Sequence, residues 1–185
     1  MPILSLILAQ AAAFAAEPLA DPLAGITPDW QLCEQPDEAA RTCSMKSTFV
    51  RTAGGQFETV DVMSITGLPG LVIEIKSVAY VKDGALCGIA RLKDLDGARI
   101  VRHVDGATAK QEAAAIQSLR FLYPIEGKEI CSAFHPDGVN FRLKSTANGK
   151  PLPIDDTVVR WVHKDDGFSV AGWQGAITTP MGTQR

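Results

Sequence analysis

The sequence predicts an α+β domain made mainly of antiparallel β-sheet, with seven or eight strands, one inserted helix and a second, shorter one. Three observations predict it. Strand-like runs are separated by Asp-Gly and Asn-Gly pairs, residues that tolerate the positive φ angles of tight hairpin turns. One capping box, Thr108 with Gln111, opens an Ala-rich stretch in the middle of the chain. The four cysteines are even in number and spaced to close loops.

The chain starts with an uncharged segment. Residues 1–16 carry no ionisable side chain, and Pro2 to Leu8 is a short apolar run followed by small residues. This is too short to span a bilayer, which takes about 20 apolar residues. It matches the apolar core and small-residue end of a signal peptide, with cleavage sites at Ala9-Gln10-Ala11 or Ala13-Phe14-Ala15, although the usual positive N-terminal region is missing. The expected localisation is therefore exported, periplasmic or extracellular, with no stable membrane insertion after the signal is cut. Residues 17–29 contain three prolines and a doubled Pro-Leu-Ala, and read as a linker. The folded domain is expected over 30–173, and the Gly/Thr-rich 174–185 as a flexible tail.

Within the domain, runs 43–52 and 57–66 flank Ala53-Gly54-Gly55, and 71–81 and 85–89 flank Asp83-Gly84. Runs 129–134 and 139–144 flank Asp137-Gly138, and 157–162 and 168–171 flank Asp166-Gly167. Their short connections predict antiparallel pairing. The helix begins at Thr108, carries Ile116, Leu119 and Tyr123 on one face, and stops at Pro124. Leu92, Leu95, Ala98 and Val101 recur every three residues and suggest the second helix over 92–101, with Asp96-Gly97 in its middle.

Composition sets limits on function. The 185 residues are 46% hydrophobic, 21% charged and 6% aromatic, with a net charge of −3. That is too apolar for a disordered chain and too charged for a bundle of membrane helices. The acidic balance argues against nucleic acid as a partner, which calls for a basic face. Cys33, Cys43, Cys87 and Cys131 in an exported chain read as a disulfide framework. Three pairings are open, and spacing favours Cys33–Cys43 and Cys87–Cys131. No Cys-x-x-Cys pair occurs, which argues against a zinc or thioredoxin-type site.

Candidate chemistry is sparse. His103, His135 and His163 each adjoin an Asp-Gly turn. Gathered on one rim with their neighbouring aspartates, they could ligate a divalent metal. The simpler role for each is to bond a turn carbonyl at a strand end. Gly-x-Ser-x-Gly, Ser-x-x-Lys and phosphate-binding glycine motifs are absent, so no cofactor is expected and the balance leans against an enzyme. Asp155-Asp156 and Asp165-Asp166 are adjacent carboxylates rather than facing ones.

Two features suggest binding. A loop closed by Cys33 and Cys43 would carry Glu34, Asp37 and Glu38 next to Trp30, an acidic projection suited to the basic cleft of a partner protein. Trp161, with Trp173 and Phe168, offers either core packing or a stacking surface. Trp30-Gln31-Leu32-Cys33 followed by Cys43-Ser44-Met45 resembles the start of the invasion-associated locus B family of exported bacterial proteins, over about 16 residues. The chain departs from that family in lacking a second close cysteine pair, and no function is carried over. The expected function is a small exported, non-catalytic binding or envelope-associated protein with a protein partner in the cell envelope, in one version an inhibitor of a periplasmic enzyme. The alternative is an enzyme or metal binder built on the three histidines. Oligomeric state is not legible.

Overall fold

The computed structural model describes residues 19–65, 68, 70–120, 125–153 and 156–171. The signal segment, Trp173 and the 174–185 tail lie outside the described residues. In chain order the elements are β1 (Trp30–Glu34), β2 (Thr42–Cys43), β3 (Met45–Arg51), β4 (Phe57–Ser64), β5 (Val72–Lys82), β6 (Ala85–Ile89), α1 (Leu92–Asp96), β7 (Arg99–Arg102), α2 (Ala109–Leu119), β8 (Glu129–Asp137), β9 (Asn140–Ala147), β10 (Lys150–Pro151), β11 (Thr157–His163) and β12 (Ser169–Val170).

Eight of these strands close on themselves. β1, β3, β4, β5, β6, β8, β9 and β11 each pair antiparallel with the next in sequence, and β11 returns to β1, with Trp30 opposite His163 and Glu34 opposite Val159. The expected antiparallel β structure with two helices is present, but it is a closed up-and-down barrel and not an open sheet. Closure gives every barrel strand two partners and leaves no long bare edge. The hairpin turns carry the conformations their sequences demand. Asp83-Gly84 has φ of 50° and 76°, and Asn148-Gly149 has 48° and 75°, the positive pairs that match the twist of flanking strands.

Each end of the barrel is covered. At the β5–β6 turn end, Leu19 and Leu23 pack into a cluster with Leu32, Phe49, Phe57, Phe134 and Val159. The Leu19 N–H donates to the Phe134 carbonyl at 2.9 Å. Residues 19–29, read from sequence as a linker, are thus fitted to the barrel, with Leu23 only 3% exposed. The arm passes so near the turn that a Cβ on Gly84 would lie 2.9 Å from the Leu19 carbonyl oxygen.

The opposite end is covered by the insert between β6 and β8. Its α1 and α2 place Leu95 and Leu119 against Ile65, Leu71, Ile73 and Ile75. The capping box forms as read, with Thr108 Oγ1 accepting from the Gln111 N–H at 3.3 Å. The shorter helix is a correction. It stops at Asp96, Gly97 caps it, and Arg99–Arg102 turns into a strand on β5. A glycine in mid-helix costs about 1 kcal/mol, whereas pairing with β5 satisfies the backbone of the next residues.

Two disulfides brace this frame. Cys33–Cys43 (Cα–Cα 5.4 Å) pins the β1–β2 loop, and Cys87–Cys131 (4.1 Å) joins directly opposed residues of β6 and β8, closing the base of the insert. β2 pairs parallel with β12 outside the barrel, where Cys33, Cys43, Val162 and Phe168 form a separate apolar cluster.

Candidate functional site

Side chains alternate in and out along each strand, and the inward set does not fill the barrel. Between the two apolar end clusters lies a cavity of about 380 Å³. Leu32 and Glu34 of β1, Ser47 of β3, Thr59, Asp61 and Met63 of β4, and Ile75 and Ser77 of β5 form one wall. Ser132 and Phe134 of β8 and Leu143 of β9 line the other, and Arg91, Asp94, Leu95 and Ile125 of the insert line the side toward the helical cover.

The register explains how the polar groups meet. Ser47 stands opposite Asp61, and Thr59 opposite Ser77, while Glu34 stands opposite Met45, whose other neighbour is Met63. The hydroxyls satisfy one another, Thr59 Oγ1 lying 2.5 Å from Ser77 Oγ and Ser132 Oγ 2.8 Å from Ser145 Oγ. The two carboxylates are less well served. Burial pushes the Glu34 carboxyl up to about 7, and the neighbouring Asp61 charge adds to this. Among the described residues neither a hydrogen bond nor a cation offsets it. Burial also raises Asp61, which the Ser47 hydroxyl partly counters. Glu34 is half-buried and lines the cavity.

The residues singled out from sequence are dispersed. Glu34 points into the barrel instead of decorating an acidic loop. Asp37 is a turn residue, its Oδ1 accepting from the Ala40 N–H at 2.9 Å, and Glu38 forms an ion pair with Arg160 on the outer face of β11. Trp30 packs edge-on against His163 with centroids 5.5 Å apart, at the arm-covered end. Trp161 points inward and stacks on Phe134, 6° from parallel, so it belongs to the core cluster. The three histidines do not converge. His135 and His163 lie toward the arm-covered end, opposite Arg142 and Trp30, while His103 follows β7 at the helix-covered end. His103 Nδ1 is 2.8 Å from Glu112, and His163 Nδ1 is 3.3 Å from Asp165. Among the described residues no three His, Cys, Asp or Glu side chains gather closely enough to hold a metal, and no helix is long and apolar enough to cross a membrane.

Asp61 escaped sequence reasoning entirely. Its strand reads Phe57-Glu58-Thr59-Val60-Asp61-Val62-Met63, where two valines flank the aspartate and suggest the opposite face as core. In the fold Val60 and Val62 face outward into a second hollow of about 460 Å³ beside Phe168 and Val170. Lys46 Nζ in that hollow donates a hydrogen bond to the Phe168 carbonyl at 2.9 Å. The signal that could have revealed Asp61 was the shared parity of Phe57, Thr59 and Met63.

Comparison with known proteins finds no family model, curated protein or solved structure that matches this chain. Function is therefore argued from the site alone.

Proposed function

We propose that this chain is a small exported, non-catalytic binding protein that holds one small, largely apolar organic molecule inside its barrel. The carrying observation is the 380 Å³ interior cavity with its mixed lining. An eight-stranded barrel is just wide enough to be filled by side chains or to hold one small ligand. The volume falls within the roughly 300–1,000 Å³ of small-molecule sites, where apolar walls and a few convergent polar groups are the rule. Two disulfides and the uncharged leader support the exported setting. The inward turn of Glu34 and the Glu38–Arg160 pair leave little of an acidic projection for a protein partner, so the cavity is the better-supported site.

Fluorescence titration with the neutral apolar dye N-phenyl-1-naphthylamine tests this. Wild-type protein should bind the dye, and Ile130→Trp, which places a larger side chain on the cavity wall, should weaken binding at least tenfold while the circular dichroism spectrum is kept. Equal binding by both proteins, or none by wild type, rejects the cavity as the site. A second reading, an enzyme with Glu34 as acid and Asp61 as base, draws on the raised Glu34. It requires turnover, and intact recovery of a bound molecule counts against it.

A further inference from the structure

We propose that the barrel cavity selects an organic cation, an ammonium group seated against Glu34 and Asp61 with its apolar body lying along Met45, Met63 and Ile75. This rests on the cavity reading above and names its ligand class. Glu34 and Asp61 come from strands two places apart in the barrel wall, and both line the same cavity. Glu34 has no hydrogen-bond or ion-pair partner among the described residues, and only burial and Asp61 act on it.

An unpaired buried carboxylate costs several kcal/mol in principle, a cost ordinarily removed by pairing or by protonation. Four cations of the outer surface are held by other acids. Lys82 holds Glu129, Arg99 holds Glu74, Arg120 holds Asp96 and Lys164 holds Asp29. Among the described residues, the charged groups lining the cavity besides the pair are Arg91 and Asp94, both on the side of the helical cover and of opposite sign. Neither contributes to the Glu34 shift.

The neighbouring groups suit a cation and not an anion. The Ser47, Thr59 and Ser77 hydroxyls offer lone pairs, and the Met45 and Met63 thioethers and Ile75 provide a soft apolar wall. A carboxylate or phosphate ligand would meet two acids here.

Docking an ammonium favours the charged form of Glu34, so the carboxyl gives up its proton to solvent as the cation enters. Affinity for a cation should therefore rise with pH through about 7, whereas a neutral ligand of the same shape should bind with little pH dependence. An aliphatic ammonium stays protonated over this range.

The test is isothermal titration of the full chain with three matched pairs: butylamine and butanol, phenethylamine and phenethyl alcohol, tryptamine and tryptophol. At pH 8 at least one amine should bind tenfold or more tightly than its alcohol, and that ratio should shrink at pH 5.5. Glu34→Gln, which keeps the shape, should bring the ratio near one, and Asp61→Asn should reduce it. If the dye binds and no amine surpasses its alcohol, the cation inference is overturned and the cavity reading stands. If the dye also fails, both fall. A ratio that survives Glu34→Gln and Asp61→Asn together would place the amine elsewhere and likewise overturn the inference.

Discussion

Glu112 and Glu34 are two acidic side chains removed from water in opposite company. On α2, Glu112 is 4% exposed. One carboxylate oxygen lies 2.8 Å from His103 Nδ1, and the other accepts the Val104 N–H at 3.2 Å. The His103 hydrogen bond leads in holding its carboxyl below the ordinary range, against the effect of burial. Inside the barrel Glu34 meets burial and a second negative charge, and its carboxyl rises to about 7. Burial alone does not decide the fate of a carboxylate; the donors around it do. The α2 corner is complete as it stands, and it ties the end of β7 to the helical cover. Around Glu34 no donor is arranged among the described residues, and this asymmetry is why we propose the cavity as the site.

The largest expected effect comes from removing the unpartnered acid. Glu34 is raised in the folded chain from an ordinary 4.5 to about 7. A carboxyl raised on folding contributes stability that is whole below about pH 4.5 and lost as pH climbs through about 7. The full loss is about 3 kcal/mol at the usual conversion of about 1.4 kcal/mol per pH unit. Glu34→Gln should therefore be more stable than wild type above pH 7, by up to about 3 kcal/mol, with the gain fading toward pH 4.5. Urea unfolding of both proteins at pH 8 and pH 4.5 measures it. No gain at pH 8 would mean that Glu34 already has a partner, and the contrast with Glu112 would collapse.

Removing the partnered acid should do the reverse. Glu112→Gln keeps an acceptor for the Val104 N–H but loses the charged bond to His103. The variant should be less stable than wild type at pH 7. The sign of the pH dependence is opposite as well. A lowered carboxyl contributes stability above about 4.5 that is lost as pH falls through its folded value, so the variant and wild type should converge in acid. Unfolding curves at pH 7 and pH 3 read this directly. Opposite slopes for the two variants would sharpen the comparison, and parallel slopes would break it.

Much of the frame was legible in the sequence because its signals are local. Asp83-Gly84 and Asn148-Gly149 require particular backbone angles, and Thr108 with Gln111 requires only its own helix turn. Barrel closure was not legible, since the pairing of β1 with β11 joins residues at opposite ends of the domain and leaves no mark on either strand alone. The site was missed for a related reason. Whether Asp61 faces in or out depends on what covers Val60 and Val62, and their cover comes from Phe168 and Val170, more than a hundred positions away. Glu34 was assigned to the loop that follows it, although Leu32, two residues earlier, already marked its face of the strand as inward.

The smallest expected effect tests whether the two regions are independent. Thr108 caps α2, accepting from the Gln111 N–H, while the Gln111 side chain accepts the Thr108 N–H at 2.8 Å. An 11-residue helix is too short to be stable without its caps and tertiary contacts, and losing a threonine cap costs about 1 kcal/mol. Thr108→Ala should lower the unfolding free energy by that amount, read as a lower urea midpoint with an unchanged slope. It should leave dye affinity untouched, because α1, and not α2, lines the cavity. A fall in affinity beyond the fall in stability would show that Glu112, carried one turn into α2, helps hold the cavity wall. The satisfied corner and the unsatisfied cavity would then be parts of one site.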